Sequence, residues 1–189
     1  MFYGCKSLID LNMSGWDTSN VKDMSHIFYG CDSLIDLNMS GWDNSSVTNM
    51  CAMFENCIRL TKLDLSKWDT SKVTDMSWMF HNCRLLTDIN LSGWNTSNVT
   101  DMSCMFWECH DLIKLDLTSF DTSKVKDISS MFNDCLSLKF LDISSFSAKS
   151  LLKKGMNNIF TNSNITQMKI SKDLFHALND YYIDFVKVI

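Results

Sequence analysis

The sequence predicts a repeat solenoid, a right-handed α/β-type coil with a parallel sheet built from one short strand per repeat. Three observations predict this class. A 26-residue unit recurs without slippage from residue 1 to about residue 146, and periods of roughly 20 to 50 residues are typical of solenoids and arrays. Each copy carries the apolar pattern of one short strand. An aromatic residue follows that strand in every copy, where the chain must turn.

The strand of each copy is predicted from an L-x-x-L-x-L pattern, which begins at Leu8, Leu11 and Met13. Residues 11–13 alternate as in a strand that buries one face. Because each copy contributes one such strand, strands stacked in chain order would form a parallel sheet. The same positions are filled in the later copies by Leu34, Leu37 and Met39, by Leu60, Leu63 and Leu65, by Leu86, Ile89 and Leu91, by Leu112, Leu115 and Leu117, and by Leu138, Leu141 and Ile143.

The opposite wall of each copy is predicted to be partly extended and partly helical. Residues 19–24 of the first copy indicate a second short extended segment. A pair such as Met53-Phe54 comes next, with a cysteine three residues later, and this spacing predicts one helical turn. Serine precedes that turn where an N-cap residue belongs, except that Cys51 takes its place once. The serines are Ser25, Ser77, Ser103 and Ser129.

One aromatic residue per copy lies just past the strand. We expect these rings to stack in the core, because residues at one repeat position are neighbours in consecutive copies and aromatic pairs attract each other. The alternative is a row of aromatic residues that binds carbohydrate. The row consists of Trp16, Trp42, Trp68, Trp94, Phe120 and Phe146.

Two sequence blocks occur together and in phase: M-F-x-x-C before the strand, and D-T-S-x-V-x-D-M after the aromatic residue. This combination, over residues 1 to about 146, resembles the BspA-like leucine-rich repeat of bacterial and protist surface proteins. The resemblance implies a leucine-rich-repeat-like solenoid. It also implies a place at the cell surface or outside the cell, often in adhesion to host or matrix proteins.

The chain is expected to have three parts. Residues 1–146 hold six leucine-rich-repeat-like coils, of which the first is incomplete on its N-terminal side. Residues 147–171 hold a degenerate seventh coil, whose strand is expected near residues 167–170. Residues 172–189 hold a capping helix, over about 172–182, and an extended tail. Because the first coil lacks a cap, its exposed core raises end-to-end self-association as a hypothesis.

Composition limits the partners and the location. The net charge is −5 and no basic run follows the chain, so nucleic acid is not an expected partner. No apolar segment approaches the roughly 20 residues that a membrane span needs. The first residues carry the repeat, without a basic start followed by an apolar run, so no signal peptide is expected in this chain. An intracellular location therefore stays open beside a surface or secreted one.

Six of the eight cysteines occupy one repeat position. We expect buried free thiols there, because cysteine is small, apolar and among the most buried residue types. Neighbouring copies lie within disulfide distance, so some bridging is one alternative and metal binding another. The four histidines occupy different repeat positions and offer no convergent zinc ligands, so no metal or other cofactor is expected. The six cysteines are Cys5, Cys31, Cys57, Cys83, Cys109 and Cys135.

The candidate ligand-binding residues are those between the buried strand positions, which point outward. Every copy has asparagine or aspartate at the second of these positions. We expect a contact surface for a protein or a glycan, because repeat proteins commonly bind through such faces. The alternatives are a side-chain ladder that only solubilises the sheet, and a calcium site, which would need six to eight oxygens around one point. The candidates are Asp10, Asn12, Asp36, Asn38, Lys62, Asp64, Asp88, Asn90, Lys114 and Asp116, and the sixth copy has Phe140 and Asp142.

A second polar row follows the aromatic residue and begins with Asp17, Thr18 and Ser19. We expect these short side chains to cap turns, because proline is absent and glycine is scarce. An enzyme is not expected, since the carboxylates repeat whereas catalysis needs a singular site with perturbed groups. The sequence therefore predicts a non-enzymatic binding module that acts in adhesion. The alternative is an intracellular repeat scaffold for protein–protein interaction.

Overall fold

The structure, a computed structural model, describes residues 1–13, 15–39 and 41–179. This part of the chain is mostly non-helical, with small parallel sheets and few helices, as in a repeat-type fold. In chain order its regular elements are strands β1 (Lys62–Asp64), β2 (Asp88–Asn90), β3 (Lys114–Asp116) and β4 (Phe140–Ile143), a 3-10 helix (Lys153–Met156), strand β5 (Gln167–Ile170) and helix α1 (Lys172–Asn179).

The strands lie side by side in parallel, one per repeat. β1 pairs with β2, so that Leu63 lies beside Ile89. β4 pairs with β3 on one side and β5 on the other, so that Leu141 lies between Leu115 and Met168. The prediction of one short parallel strand per repeat is confirmed from the third repeat onward. Within the described ranges no pairing joins β2 to β3, and these strands form two sheets.

In the first two repeats the prediction of a strand is wrong, because residues 11–13 and 37–39 form no regular element. Their inward and outward positions are nevertheless as predicted: Met13 and Leu37 are buried. In the second repeat the Leu37 amide donates to Asp36 Oδ1 at 2.8 Å. A local side-chain bond of this kind competes with a strand ladder for the amide.

The predicted helical turn on the opposite wall is also wrong. In the third repeat two tight turns follow each other, closed by left-handed residues at Ala52 (φ 53°) and Asn56 (φ 62°). The amides of Met50, Ala52, Phe54 and Asn56 donate across to carbonyls of the next repeat at 2.9–3.0 Å. A helix would use these amides within its own turn, so the turns exist because alternate amides link one repeat to the next. We call this side of the molecule the turn wall.

The predicted extended segment before these turns is confirmed, but it is shorter than predicted. It makes a single parallel bridge per repeat, at Asp23, Asn49, Asp75, Asp101 and Asp127. The prediction that serine caps a helix is wrong, because the serine is the donor: at the third of these positions the Ser77 amide and hydroxyl both donate to Asp75 Oδ1, at 2.9 and 2.6 Å. The carboxylate thus fixes the start of the first turn.

Two columns of stacked rings run through the core. Phe54 lies 5.6 Å, centroid to centroid, from both Phe28 and Phe80, and the stacked rings are nearly parallel. The aromatic row after the strand stacks in the same way, with Trp94 and Phe120 6.1 Å apart. Each pair of this kind contributes about 0.5–1.5 kcal/mol beyond the burial of its area. Because the row is buried from the third repeat to the sixth, the core interpretation is confirmed there and the carbohydrate-binding alternative is wrong.

The polar row after the aromatic residue has two separate structural roles. Aspartate caps the turn as predicted: Asp69 Oδ1 accepts the Ser71 amide at 3.0 Å. The buried threonine beside it instead links repeats, so its assignment to turn capping is wrong. Thr70 Oγ1 donates to the Asn95 carbonyl at 3.0 Å and accepts the Asn95 amide at 2.9 Å. Thr18, Thr96 and Thr122 make the same pair of bonds one repeat ahead.

Helix α1 covers the last repeat. It begins at the predicted residue, Lys172, and buries Leu174 and Leu178 against the core. Asp173 Oδ2 accepts the Ala148 amide at 2.9 Å, and the Ser171 hydroxyl donates to the Phe146 carbonyl. The predicted continuation of the helix over 180–182 and the predicted extended tail lie outside the described residues.

Candidate binding groove

A groove of about 940 Å³ lies over the exposed face of β1 to β5. All six candidates from the third to the fifth repeat line it: Lys62, Asp64, Asp88, Asn90, Lys114 and Asp116. The four candidates from the first two repeats are exposed but do not line it: Asp10, Asn12, Asp36 and Asn38. The strand pairing thus brings together the candidates of the paired repeats and leaves the others outside the groove.

The strand register sorts the groove residues into two rows. The first row, at the first outward position of each strand, consists of Lys62, Asp88, Lys114, Phe140 and Gln167. The second row, two residues later, consists of Asp64, Asn90, Asp116, Asp142 and Lys169. Between the rows lie the backbones of Leu63 and Leu115, whose side chains point into the core and are buried.

The second row is used by the fold itself. Asp64 Oδ1 accepts the Ser66 amide at 3.0 Å, and this bond lowers the pKa of the Asp64 carboxyl. Asp116 Oδ1 accepts the Thr118 amide and hydroxyl at 3.0 and 2.7 Å. These residues cap the turn that ends each strand. The sequence predicted a contact surface or a solubilising ladder at these positions, and it did not predict this capping role.

The first row is free of such bonds. Lys62, Asp88 and Lys114 are exposed, and no ion pair or side-chain hydrogen bond to another described residue involves them. Their charges alternate in sign along the groove. Phe140 continues the row as an apolar surface that is 45% exposed. The first row therefore offers charge and apolar area to a ligand without breaking an existing contact.

The far end of the groove is closed by an ion pair. Lys169 Nζ lies 3.1 Å from Asp142 Oδ2, while the other Asp142 oxygen accepts the Ser144 hydroxyl at 2.7 Å. Partial burial alone would raise the pKa of Asp142, but the bonds from Ser144 and Lys169 outweigh it and lower that pKa. The charged groups at this end of the groove are already paired with each other, so they are less available to a ligand than Lys62 and Lys114.

An aromatic cluster on the turn wall was missed by the sequence reasoning. His81 lies 4.9 Å, centroid to centroid, from both Trp78 and Trp107, and its Nδ1 lies 3.2 Å from Glu55 Oε1. One sequence signal could have revealed this cluster: Trp78, His81 and Trp107 depart from the repeat, since the other copies have different residues at these positions. The Trp78 backbone is left-handed (φ 61°), as the turn requires in every repeat.

The cysteine column is buried in the turn wall. All eight cysteines are free. Cys5 is exposed, and the other five of the predicted column are buried, each with Sγ donating to a phenylalanine carbonyl of the preceding repeat at 3.1–3.2 Å. Burial raises the pKa of Cys31 to about 11 and that of Cys135 to about 12. These thiols are therefore unreactive packing groups near neutral pH.

Within the described ranges no group of three or more histidine, cysteine, aspartate or glutamate residues is arranged to hold a metal ion. No helix in the same ranges has the length and apolar character to cross a bilayer.

A comparison with protein-family models matches the chain twice, over residues 1–92 and 86–185. The matching model is described as Mycoplasma protein of unknown function, DUF285. A search of curated proteins finds no match. Two overlapping matches to one model agree with the internal repeat, and together they cover most of the sequence. The chain therefore belongs to the DUF285 family, a repeat family.

Proposed function

We propose that this protein is a non-enzymatic binding module whose ligand, a protein or a glycan, contacts the groove over β1 to β5. The observation that carries the proposal is the free first row. Lys62 and Asp88 lie side by side on the paired strands β1 and β2, Lys114 occupies the same position on β3, and all three line the groove without a described side-chain partner. A few polar groups that converge on one cleft are typical of ligand sites.

The proposal includes the kind of fold. We infer a right-handed solenoid of the BspA-like leucine-rich-repeat type. Its support is one parallel strand per repeat from the third repeat onward, with inward apolar positions that are buried in four of the five strands and partly buried in β2, together with backbone bonds that join one repeat to the next on the turn wall.

Adhesion at the cell surface or outside the cell is the role that this fold type favours. A second candidate, an intracellular scaffold for protein–protein interaction, is favoured by one observation: all eight cysteines are free, and free thiols are typical of reducing compartments. The two are separated by locating the protein in its own cells with an antibody, before and after permeabilisation. Labelling of intact cells supports adhesion, and labelling only after permeabilisation supports the scaffold.

The groove itself is tested with a first-row variant, Lys62→Ala/Asp88→Ala/Lys114→Ala. The second row is left intact because it caps turns, so its exchange would disturb the fold. Wild type and variant are applied to an array of glycans and to a displayed library of random peptides. The matched control, Lys22→Ala/Lys126→Ala, changes exposed side chains outside the groove.

The expected result is a set of ligands that bind the wild type and the control but not the first-row variant. Circular dichroism and thermal unfolding establish that the variant is folded. Ligands that bind all three proteins equally would show that the groove is not the binding site.

A further inference from the structure

The aromatic cluster of the turn wall consists of Trp78, His81 and Trp107, all of which are partly exposed. The fold accepts smaller side chains at both tryptophan positions. Ala52 occupies the position of Trp78 one repeat earlier, and Asn133 occupies that of Trp107 one repeat later. A bulky residue in left-handed backbone, as at Trp78 (φ 61°), is also unfavourable. The packing of the repeat therefore does not account for the two tryptophans.

The rings of the cluster are held in place from the neighbouring repeats. His81 Nδ1 lies 3.2 Å from Glu55 Oε1 in the preceding repeat, and Trp107 Nε1 donates to Asp134 Oδ2 in the following repeat, at 3.2 Å. Trp78 packs against both rings, with centroids 4.9 Å from His81 and 5.5 Å from Trp107. Side chains that are fixed before a partner arrives lose little conformational freedom on binding. The cluster is thus a preorganised aromatic surface.

The surroundings of this cluster are acidic. Asp101 and Asp127 each accept the serine two residues later with Oδ1, while Oδ2 of each makes no hydrogen bond or ion pair to another described residue. Burial first, and then the charges of these two carboxylates and of Glu55, raises the pKa of Cys104 to about 12. Because Cys104 occupies the position of Trp78 in the next repeat, the same negative field lies beside the cluster.

The basic residue beside the cluster does not cancel this field. Arg84 Nη2 lies 3.0 Å from Glu108 Oε2, and Arg84 Nε donates to Asn82 Oδ1 at 2.6 Å. The charge of Arg84 is therefore balanced by its own acid, and the carboxylates of Asp101 and Asp127 remain in excess.

One side chain complements both features of this surface. The arginine guanidinium stacks on aromatic faces, of which tryptophan is the most favourable, and it also pairs with carboxylates. A lysine ammonium is a more strongly hydrated point charge and gains less from the rings, while an acidic ligand would be repelled. Tryptophan and arginine are also enriched among the residues that contribute most to protein–protein binding.

We propose that the aromatic cluster, together with the carboxylates of Asp101 and Asp127, forms an interaction surface for an arginine-bearing segment of a partner protein. The guanidinium packs on the indole rings of Trp78 and Trp107, and the two carboxylates attract its charge. None of these residues lines the groove, so this surface goes beyond the proposed function and does not depend on it.

The test titrates isotope-labelled protein with the peptide GSRGSRGS and obtains the dissociation constant from backbone amide chemical shifts. A second peptide carries citrulline in place of each arginine, which keeps the shape and removes the charge. The wild type should bind the arginine peptide about threefold to thirtyfold more tightly than the citrulline peptide, and its shift changes should centre on Trp78 and Trp107.

Two pairs of substitutions separate the rings from the carboxylates. Trp78→Ala/Trp107→Asn should weaken binding of the arginine peptide about twofold to thirtyfold. Both replacements occur at these repeat positions in other copies, and circular dichroism with thermal unfolding checks the fold. The control Tyr3→Asn removes an exposed aromatic ring from the repeat position of Trp107 and should leave the affinity unchanged.

Asp101→Asn/Asp127→Asn should weaken binding of the arginine peptide about twofold to tenfold at low salt. Asn49 already occupies this repeat position, so the fold accepts the exchange. The control Asp17→Asn/Asp43→Asn makes the same change in net charge in another row and should bind as the wild type does.

Equal affinity for the arginine and citrulline peptides, wild-type affinity in either substituted pair, or an equal loss in its control would overturn this inference. The first-row variant Lys62→Ala/Asp88→Ala/Lys114→Ala should bind the arginine peptide as the wild type does. A loss of affinity there would place the arginine over Asp88 in the groove and would also overturn it. Because the proposed function is tested by ligands that depend on the first row, either proposal can fail while the other stands.

Discussion

The first two repeats and the later repeats, which contain the five strands, show a similar burial pattern with different backbone order. In both regions the leucine-type positions face inward and the polar positions outward, although Leu8 and Leu11 are only half buried. Among the described residues, strand pairing is confined to β1–β2 and to β3–β5, and helix α1 covers the core at the C-terminal end. The first repeat, by contrast, leaves Ile9 59% and Trp16 37% exposed. Side-chain burial thus follows from the local pattern, whereas a strand ladder also needs backbone hydrogen bonds to an adjacent strand.

The largest difference between the two regions is expected for leucine truncation. Leu63→Ala should lower the free energy of unfolding by about 2–5 kcal/mol, because it leaves a cavity in a packed core. Leu11→Ala, at the same repeat position, should cost less than half as much, because Leu11 is only half buried. Urea unfolding measures both. Equal losses would mean that the first repeat is as tightly packed as the third.

The threonine ladder should not weaken toward the N-terminal end. Thr96→Val keeps the shape but leaves the Asp121 amide and carbonyl without their partner, at a cost of about 1–3 kcal/mol. Thr18→Val should cost a similar amount, since Thr18 makes the same bonds at 2.9 Å.

Thr161→Val, at an exposed threonine whose hydroxyl bonds to no other described residue, is the control for these two variants and should change the free energy of unfolding little. A Thr18→Val variant as stable as the wild type would limit the ladder to the region of paired strands.

Much of this architecture follows from the sequence, and the failures have physical causes. The strand positions and the outward row could be predicted because leucines that alternate with polar residues report burial directly. The turn wall could not, because a phenylalanine three residues before a cysteine fits either a helical turn or a tight turn. Left-handed backbone at Ala52 and Trp78 carries no glycine or asparagine signal.

The predictions about the groove residues show the same limits. Both groove rows were identified as outward, but the capping role of Asp64 and the linking role of Thr70 depend on backbone partners that no periodicity reveals. The distinction between a row that caps turns and a row that is free requires the hydrogen bonds themselves.

Acid should weaken the turn caps of the repeats that contain the strands. The Ser71 hydroxyl and amide lower the pKa of Asp69, and the Ser123 amide and hydroxyl lower that of Asp121. Because the folded pKa is below the unfolded value near 3.9, the stabilisation is complete above about pH 4 and is lost as the pH falls through the folded pKa.

Asp69→Asn/Asp121→Asn keeps the acceptor oxygen and removes the charge, so the unfolding free energy should fall less steeply below pH 4, by under about 1 kcal/mol. Asn95 already occupies this position in its own repeat, which indicates that the fold accepts asparagine there. Identical pH profiles for variant and wild type would mean that these carboxylates do not contribute to acid unfolding.

The smallest effect is expected at the exposed end of the first repeat. Its apolar surface favours self-association. The Phe2 and Gly4 amides, however, already donate to the second repeat, so two such edges brought together would place carbonyl groups against carbonyl groups without donors between them. We expect a weak, concentration-dependent rise in mass above 21.8 kDa by light scattering, reduced in Ile9→Lys. A Leu152→Lys control, at an exposed residue far along the chain, should leave the rise unchanged. A constant mass in the wild type would remove this edge as a contact.

If ligands contact the first row of the groove, backbone amide chemical shifts will locate them there. Isotope-labelled protein is titrated with whichever array or library ligand binds. We expect the shift changes to concentrate at Lys62, Asp88, Lys114 and Phe140 and on the strands that carry them. Shifts that concentrate instead around Trp78 and Trp107 on the turn wall, with the groove unchanged, would contradict it.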